Sequence, residues 1–299
     1  MPNTCKGAIL TLLSALCFSV SGTLQAIAPD GATPFVITEA RMLVGGLFLL
    51  CWCVVTNKLP KSISILPVKT LLFCSACLLI GQLCFFSGMY YIGVSAGAII
   101  SVGSSPIWAA VIARLVFKKS PHIEWYIATA MAIGGIVCIN GFDLDLSRIF
   151  FIGLLLLDGL TYAAYITASP KLVETIGPEA SIMMVLLTIA LVLFPVLFLF
   201  PIQWTLTPRG IFVCLGIGIV TAGMAFTLLT AGTGYISPIV ASTLCLAEPM
   251  GAACWGIFLL HEDSSPTRLT GIGLIFISII VLLCGGSLRE QKNSSITES

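Results

Sequence analysis

Ten apolar stretches, each close to the ~20 residues that an α-helix needs to cross a hydrocarbon core, make up nearly the whole chain. They run Lys6–Ala28, Phe35–Val55, Val68–Tyr90, Val94–Phe117, Ile123–Asn140, Ile149–Pro170, Ala180–Phe200, Gly210–Gly232, Ser237–Leu260 and Leu269–Gly286. The joins are short and carry turn chemistry, as in Ala28-Pro29-Asp30-Gly31 and Asn140-Gly141. With 9% charged and 58% hydrophobic residues, the chain has too few charges to cover a water-facing surface, for which ~25% is usual. In lipid only helices or closed barrels satisfy the backbone, and the period-2 alternation of barrel strands is absent. The expected fold is therefore an all-α polytopic membrane protein with ten transmembrane helices. The first stretch is too long for the apolar part of a signal sequence and reads as a retained span.

Basic residues orient the bundle. With the N-terminus inside, Lys6, Lys58, Lys61, Lys69, Arg114, Lys118, Lys119, Lys171, Arg289 and Lys292 fall on the cytoplasmic side. Only Arg148, Arg209 and Arg268 fall outside, and Arg41 lies within a span. Both termini are thus expected in the cytoplasm, and the membrane is expected to be the cytoplasmic (inner) one. The halves also resemble each other at an offset of 143 to 144 residues. Ser105-Pro106 aligns with Glu248-Pro249, Tyr91-Ile92 with Tyr235-Ile236, and Pro34 with Pro178. Five spans is an odd number, so the second half enters the membrane from the opposite side. The expected organisation is two inverted five-helix repeats, residues 1–145 and 146–286, followed by a cytoplasmic tail at 287–299 read as disordered. Inverted repeats are an architecture of secondary transporters.

The ninth span reads Leu246-Ala247-Glu248-Pro249-Met250-Gly251-Ala252-Ala253-Cys254-Trp255-Gly256, followed by Leu259-Leu260-His261-Glu262. This resembles the E-P…G-E signature of the EamA branch of the drug/metabolite transporter superfamily, and Arg41 resembles an arginine common there. The resemblance covers nearly the whole chain. It departs at Cys17-Phe18, where the family often shows Trp-Gly, and at Phe117-Lys118-Lys119, where Gly-Glu is frequent. It implies transport without ATP, matching the absence of a Walker-type loop. It also implies a central cavity lined by spans one, three, four, six, eight and nine. Family members carry amino acids, amines, sugars, vitamins and drugs, so it leaves the substrate open.

Ionisable residues at bilayer depth are functional candidates. Asp158 lies about 13 Å into span six at 1.5 Å per residue, and Glu248 lies similarly deep in span nine. Asp158, Tyr162 and Tyr165 share a helix face at i, i+4, i+7, as do Glu248, Ala252 and Trp255, and Ser104 and Trp108 are i, i+4. Carboxylates among aromatic rings suit an ammonium group. The expected substrate is an amine-bearing cation or zwitterion, such as an amino acid or derivative, with protons as a candidate coupling ion. The plainer reading keeps each carboxyl as a buried hydrogen-bonding group. Export of drugs, or carriage of a sugar, vitamin or organic anion, is the alternative. Pro106 and Pro249 each free the carbonyl four residues back and are candidate hinges. Glu39 and Arg41 are read as interfacial, and Gln25 and Gln82 as candidate cavity amides.

Other classes find little support. The +1 net charge argues against nucleic acid. Cys74-x-x-Cys77 has a metal or redox spacing but sits inside a span without a second pair, so the cysteines read as small packing residues. His122 and His261 are far apart, and no catalytic or metal motif is present, so neither an enzyme nor a metal or other cofactor is expected. No selectivity-filter sequence points to a channel.

Overall fold

The structure, a computed structural model, describes residues 3–60, 66–92, 94–118, 121–140, 149–259 and 265–297. These form helices α1 (Asn3–Ala26), α2 (Pro34–Val55), α3 (Val68–Ile92), α4 (Val94–Phe117), α5 (Ile123–Asn140), α6 (Ile149–Ala168), α7 (Pro170–Ile176), α8 (Pro178–Leu193) and α9 (Val196–Leu199). A 3₁₀ turn at Gln203–Leu206 leads to α10 (Pro208–Leu215), a π-helical segment Gly216–Met224 and α11 (Ala225–Thr233). Then come α12 (Pro238–Leu244), α13 (Ala247–Leu259) and α14 (Pro266–Thr297), and no strand occurs among the described residues.

The starts of these helices are written in the sequence. Helices α2, α10 and α12 each open on a hydroxyl residue followed by proline: Thr33-Pro34, Thr207-Pro208 and Ser237-Pro238. In each the hydroxyl oxygen accepts from a backbone N–H three residues on. Proline is suited to the first helical position, where its missing N–H costs nothing. Among the described residues, six helical segments are long and apolar enough to cross a membrane: Thr4–Gln25, Pro34–Val55, Val68–Ile92, Ile149–Ile176, Pro178–Leu199 and Pro208–Thr233. Of the other four expected spans, three appear as shorter apolar helices, Ile100–Val116, Ile123–Ile139 and Pro266–Leu282. The last is divided at Cys245–Leu246 between α12 and α13.

The tail expectation needs correcting. Helix α14 runs on to Thr297 through most of the segment read as disordered. Leu288-Arg289-Glu290-Gln291-Lys292 is a run of good helix formers, so the final apolar helix propagates into it. The Leu260-His261-Glu262 end of the signature, Lys61, Lys119 and Arg148 lie outside the described residues.

The main contacts between helices recur on exchange of the halves. Helix α2 packs on α8, and α5 packs on α14. The α3–α6 and α4–α6 contacts have counterparts in α1–α11 and α1–α13. Helices α2 and α8 run antiparallel. At one end of the α2–α8 pair, Lys58 is ion-paired with Glu179, and further along Gly46 meets Leu187.

The α5–α14 crossing depends on reciprocal glycines. A Cβ on Gly135 would stand 2.7 Å from the Gly271 carbonyl oxygen, and one on Gly271 would stand 2.9 Å from the Ile139 nitrogen. Backbones this close are a general means of helix association in lipid. Gly135→Ala and Gly271→Ala should each cost about 1–3 kcal/mol through overpacking, read as a lower melting temperature in detergent. Gly134→Ala and Gly273→Ala add a Cβ where nothing lies within 4 Å and should melt with the parent protein. Equal melting of all four would show that the crossing does not limit stability.

Candidate functional site

Between the halves lies a cleft of about 490 Å³, its mouth included, lined by Phe18, Ser21, Arg41, Gln82, Phe85, Ser101, Val102, Asp158, Gly159, Tyr162, Phe226 and Glu248. Four of the expected residues meet here: Gln82, Asp158, Tyr162 and Glu248. Ser101 Oγ donates to Asp158 Oδ2, and Tyr162 OH points to the Cys245 sulfur at 3.5 Å. Two glycines make the room. A Cβ on Gly81 would stand 2.7 Å from Asp158 Oδ1, and one on Gly159 would stand 2.9 Å from the Ser101 carbonyl.

Glu248 is placed by a break in its span. Helix α12 ends at Leu244, and α13 begins at Ala247, so Glu248 and Pro249 sit in the first turn of a half-helix. Pro249 cannot donate to Cys245, whose carbonyl instead accepts from the Glu248 N–H at 2.9 Å. An acidic side chain suits this end of a helix dipole, and broken helices are tolerated in membranes where they line a cavity. Pro106 differs, because α4 continues through it. The Val102 carbonyl that it frees accepts from Ser105 Oγ at 2.9 Å.

The remaining expected residues lie elsewhere. Tyr165 is buried in the core, its hydroxyl 2.8 Å from Thr230 Oγ1. Trp255 donates to Ser19 Oγ at 2.8 Å across the α1–α13 seam. Ser104 bonds the Ser101 carbonyl and packs on Gly159, and Trp108 is part-buried on α4, outside the cleft lining. A shared helix face does not imply a shared cavity, because successive turns of α6 and α13 meet different neighbours.

Arg41 is the main correction. Read as interfacial, it is instead buried in the cleft, with Nη1 donating to Gln82 Oε1 at 2.7 Å and Nη2 to the Thr221 carbonyl at 3.0 Å. Its guanidinium carbon lies 5.7, 5.8 and 5.9 Å from the ring centres of Phe226, Phe18 and Phe86, an arrangement that favours a cation away from water. Glu248, Tyr162 and Asp158 line the same cleft. Among the described residues, however, no ion pair joins it to either carboxylate. Its Nε is buried without a hydrogen-bond partner. A fixed positive charge therefore lies at cavity depth, where the interfacial reading had left none. Depth counted along the backbone ignored the reach of a long side chain on a helix enclosed by others.

The Thr221 carbonyl that holds Arg41 belongs to the π-helical segment, where the Ala225 N–H bonds back to Val220 rather than to Thr221. Such wide turns are rare and often mark functional sites. Helix α2 reaches the segment at Gly45, where a Cβ would stand 2.8 Å from the Gly218 carbonyl.

The cleft opens toward one end of the bundle. A second lobe sharing Phe18, Ser21, Phe85, Val102 and Glu248 extends along α1 to Gln25. Gln25 also lines a vestibule at the α1–α2 turn, with Asp30, Ile37, Tyr90, Tyr91 and Phe200. The other end is plugged. Phe226 packs edge-on against Phe18 and Tyr165, and Ser14 Oγ donates to the Ala225 carbonyl at 2.8 Å.

The sequence profile of the EamA-like transporter family matches residues 5–141 and, a second time, residues 149–284. The chain belongs to this family. It is thus a multi-pass membrane transporter of small molecules, and the resemblance drawn from Glu248-Pro249 is borne out. A curated relative, "Uncharacterized transporter YwfM" of Bacillus subtilis (strain 168), is 32% identical over 288 residues, covering 96% of each chain. A solved structure described only as "Crystal structure of protein" superposes with a TM-score of 0.78 at 16% identity, over 92% of this chain and 95% of that one. It speaks for the fold alone. Family and relative both point to a transporter rather than an enzyme.

Proposed function

We propose that this EamA transporter moves a small zwitterionic metabolite with an amine and a carboxylate, such as an amino acid or derivative, across the cytoplasmic membrane by alternating access. The observation carrying this reading is one cleft holding Arg41 and two carboxylates, Asp158 and Glu248, that are not ion-paired with it. A substrate ammonium meets the carboxylates, and a substrate carboxylate meets the guanidinium. The expected preference for an amine-bearing substrate is thereby narrowed, since a plain cation would leave the guanidinium unmatched. A plain organic anion would leave both carboxylates so. Charge pairs count for more in such a site than in water. The test is exchange in proteoliposomes of an amino acid, its decarboxylated amine and its deaminated acid. The amino acid is expected to exchange fastest, and fastest exchange of the acid would overturn the reading.

The proposed architecture is two inverted repeats, residues 1–145 and 146–286, with the termini and the 287–299 tail cytoplasmic. The antiparallel pairing of α2 with α8 supports it. A broken span at Glu248-Pro249 beside the cleft fits carriers whose discontinuous helices meet substrate, with Pro249 as the hinge. Reporter fusions after Lys119 should read cytoplasmic, and those within 141–148 external. The reverse at either place would overturn both topology and inversion.

A further inference from the structure

Glu39 stands apart from the cleft. It is completely buried, and neither carboxyl oxygen has a hydrogen-bond partner among the described residues. Glu39 and Gly46 are seven residues apart, two helical turns, and so share a face of α2. Gly46 meets Leu187 of α8. Because the helices are antiparallel, seven residues on from Leu187 brings Glu39 level with Phe194–Pro195, where α8 gives way to α9.

Charged neighbours do not account for it. Helix α2 is packed by α8, α9, α10, α3 and the π-helical segment. Helix α8 carries Glu179, tied to Lys58 at its far end, while α9 and the π-helical segment carry no ionisable group. Helix α10 brings Arg209, whose Nε donates to the Ile27 carbonyl, and Cys214. Helix α3 brings Lys69, Cys74, Cys77, Cys84, Tyr90 and Tyr91. None of these is ion-paired or hydrogen-bonded with Glu39 among the described residues. Arg41 turns to the other side, toward Gln82 and Thr221. The wall does hold another orphan: Trp204 Nε1 is a buried donor without a partner, in the apolar cluster that contains Val36 and Ile37.

A carboxylate anion without counter-charge or donor is costly in such surroundings, which favour the protonated form. Water is close by along the same face of α2, since Phe35, four residues earlier, lines the vestibule. A small shift of the first turns of α2 would bring the carboxyl to it. We infer that Glu39 is a proton-binding site, separate from the substrate cleft, which takes a proton from water on one side of the membrane and releases it on the other as the bundle changes facing. Each cycle then moves one proton on one carboxyl oxygen. The coupling to transport rests on the carrier reading above; the binding of the proton does not.

Two measurements on the purified protein in liposomes test this. Infrared difference spectra taken as the pH is stepped should show a titrating protonated-carboxyl band that Glu39→Gln removes and Glu39→Asp retains. Exchange of a radiolabelled mixture of the standard amino acids should persist in Glu39→Gln, while accumulation driven by a pH gradient falls at least ~fivefold. Identical spectra for the parent and Glu39→Gln at every pH would overturn the proton site. Gradient-driven accumulation by Glu39→Gln equal to that of the parent would overturn the coupling. If the parent exchanges none of the mixture, the substrate reading fails, and the spectra still decide whether Glu39 holds the proton.

Discussion

Glu248→Gln is expected to insert and fold like the parent and to exchange substrate about 30-fold more slowly or worse. The substitution keeps the shape of the side chain and removes its charge. The carboxylate faces the cleft and bonds no protein group among the described residues, so the fold loses little. Its backbone N–H still closes the turn onto Cys245. Losing one partner of a desolvated, hydrogen-bonded charge pair costs about 2–5 kcal/mol, and each 1.4 kcal/mol is about tenfold. Exchange in proteoliposomes reads the first effect, and thermal unfolding in detergent reads the second. Parent-like exchange would return Glu248 to a purely structural role.

Arg41→Gln is expected to reverse the selectivity of the cleft. The parent should favour an amino acid over its decarboxylated amine, and the variant should favour the amine, with the ratio moving by ~tenfold or more. A hydrogen bond to a charged group contributes about 1.5–3 kcal/mol, and the guanidinium supplies the substrate carboxylate with both a donor and a charge. Arg41→Lys keeps the charge without the planar fork and should fall between. Some stability will be lost in both, because Gln82 and the Thr221 carbonyl lose their donor. The ratio of the two substrates is therefore the measurement that decides, since loss of folded protein lowers both rates together. An unchanged ratio in folded Arg41→Gln would mean that the guanidinium only supports the structure.

The fold was largely legible because lipid leaves so few choices. Spans two to five began and ended within a few residues of α2 to α5, where Pro, Gly and charge mark the turns. Breaks inside spans were less visible. Pro249 announced one at α12–α13, yet Pro106 produced none, because the Ser105 hydroxyl takes the freed carbonyl locally. In the site, depth and helix face identified Asp158, Tyr162 and Glu248. They misplaced Tyr165 and Trp255, which lie a turn or two further along and meet other helices. Arg41 was visible as the basic residue set furthest inside a span, and that oddity outweighs its distance from the helix end. Ser101 and Phe226 carried no signal of their own, since serine and phenylalanine are ordinary in any membrane helix.

The wide turn at Gly216–Met224 also changes how the eighth span has to be read. Each residue of an α-helix advances the azimuth by about 100°, and a turn closed by an i→i+5 bond absorbs one residue more than usual. A helical wheel drawn from Pro208 at constant pitch is therefore a residue out of phase beyond Met224. It assigns Phe226 and Thr230 to a face about 100° from the one they occupy. Those two side chains meet Phe18 and Tyr165 at the closed end of the cleft, so the place of the plug follows from the phase slip. Removing one residue from Gly216–Met224 is expected to rotate Phe226 and Thr230 relative to Phe18 and Tyr165, although no residue of the plug itself is touched.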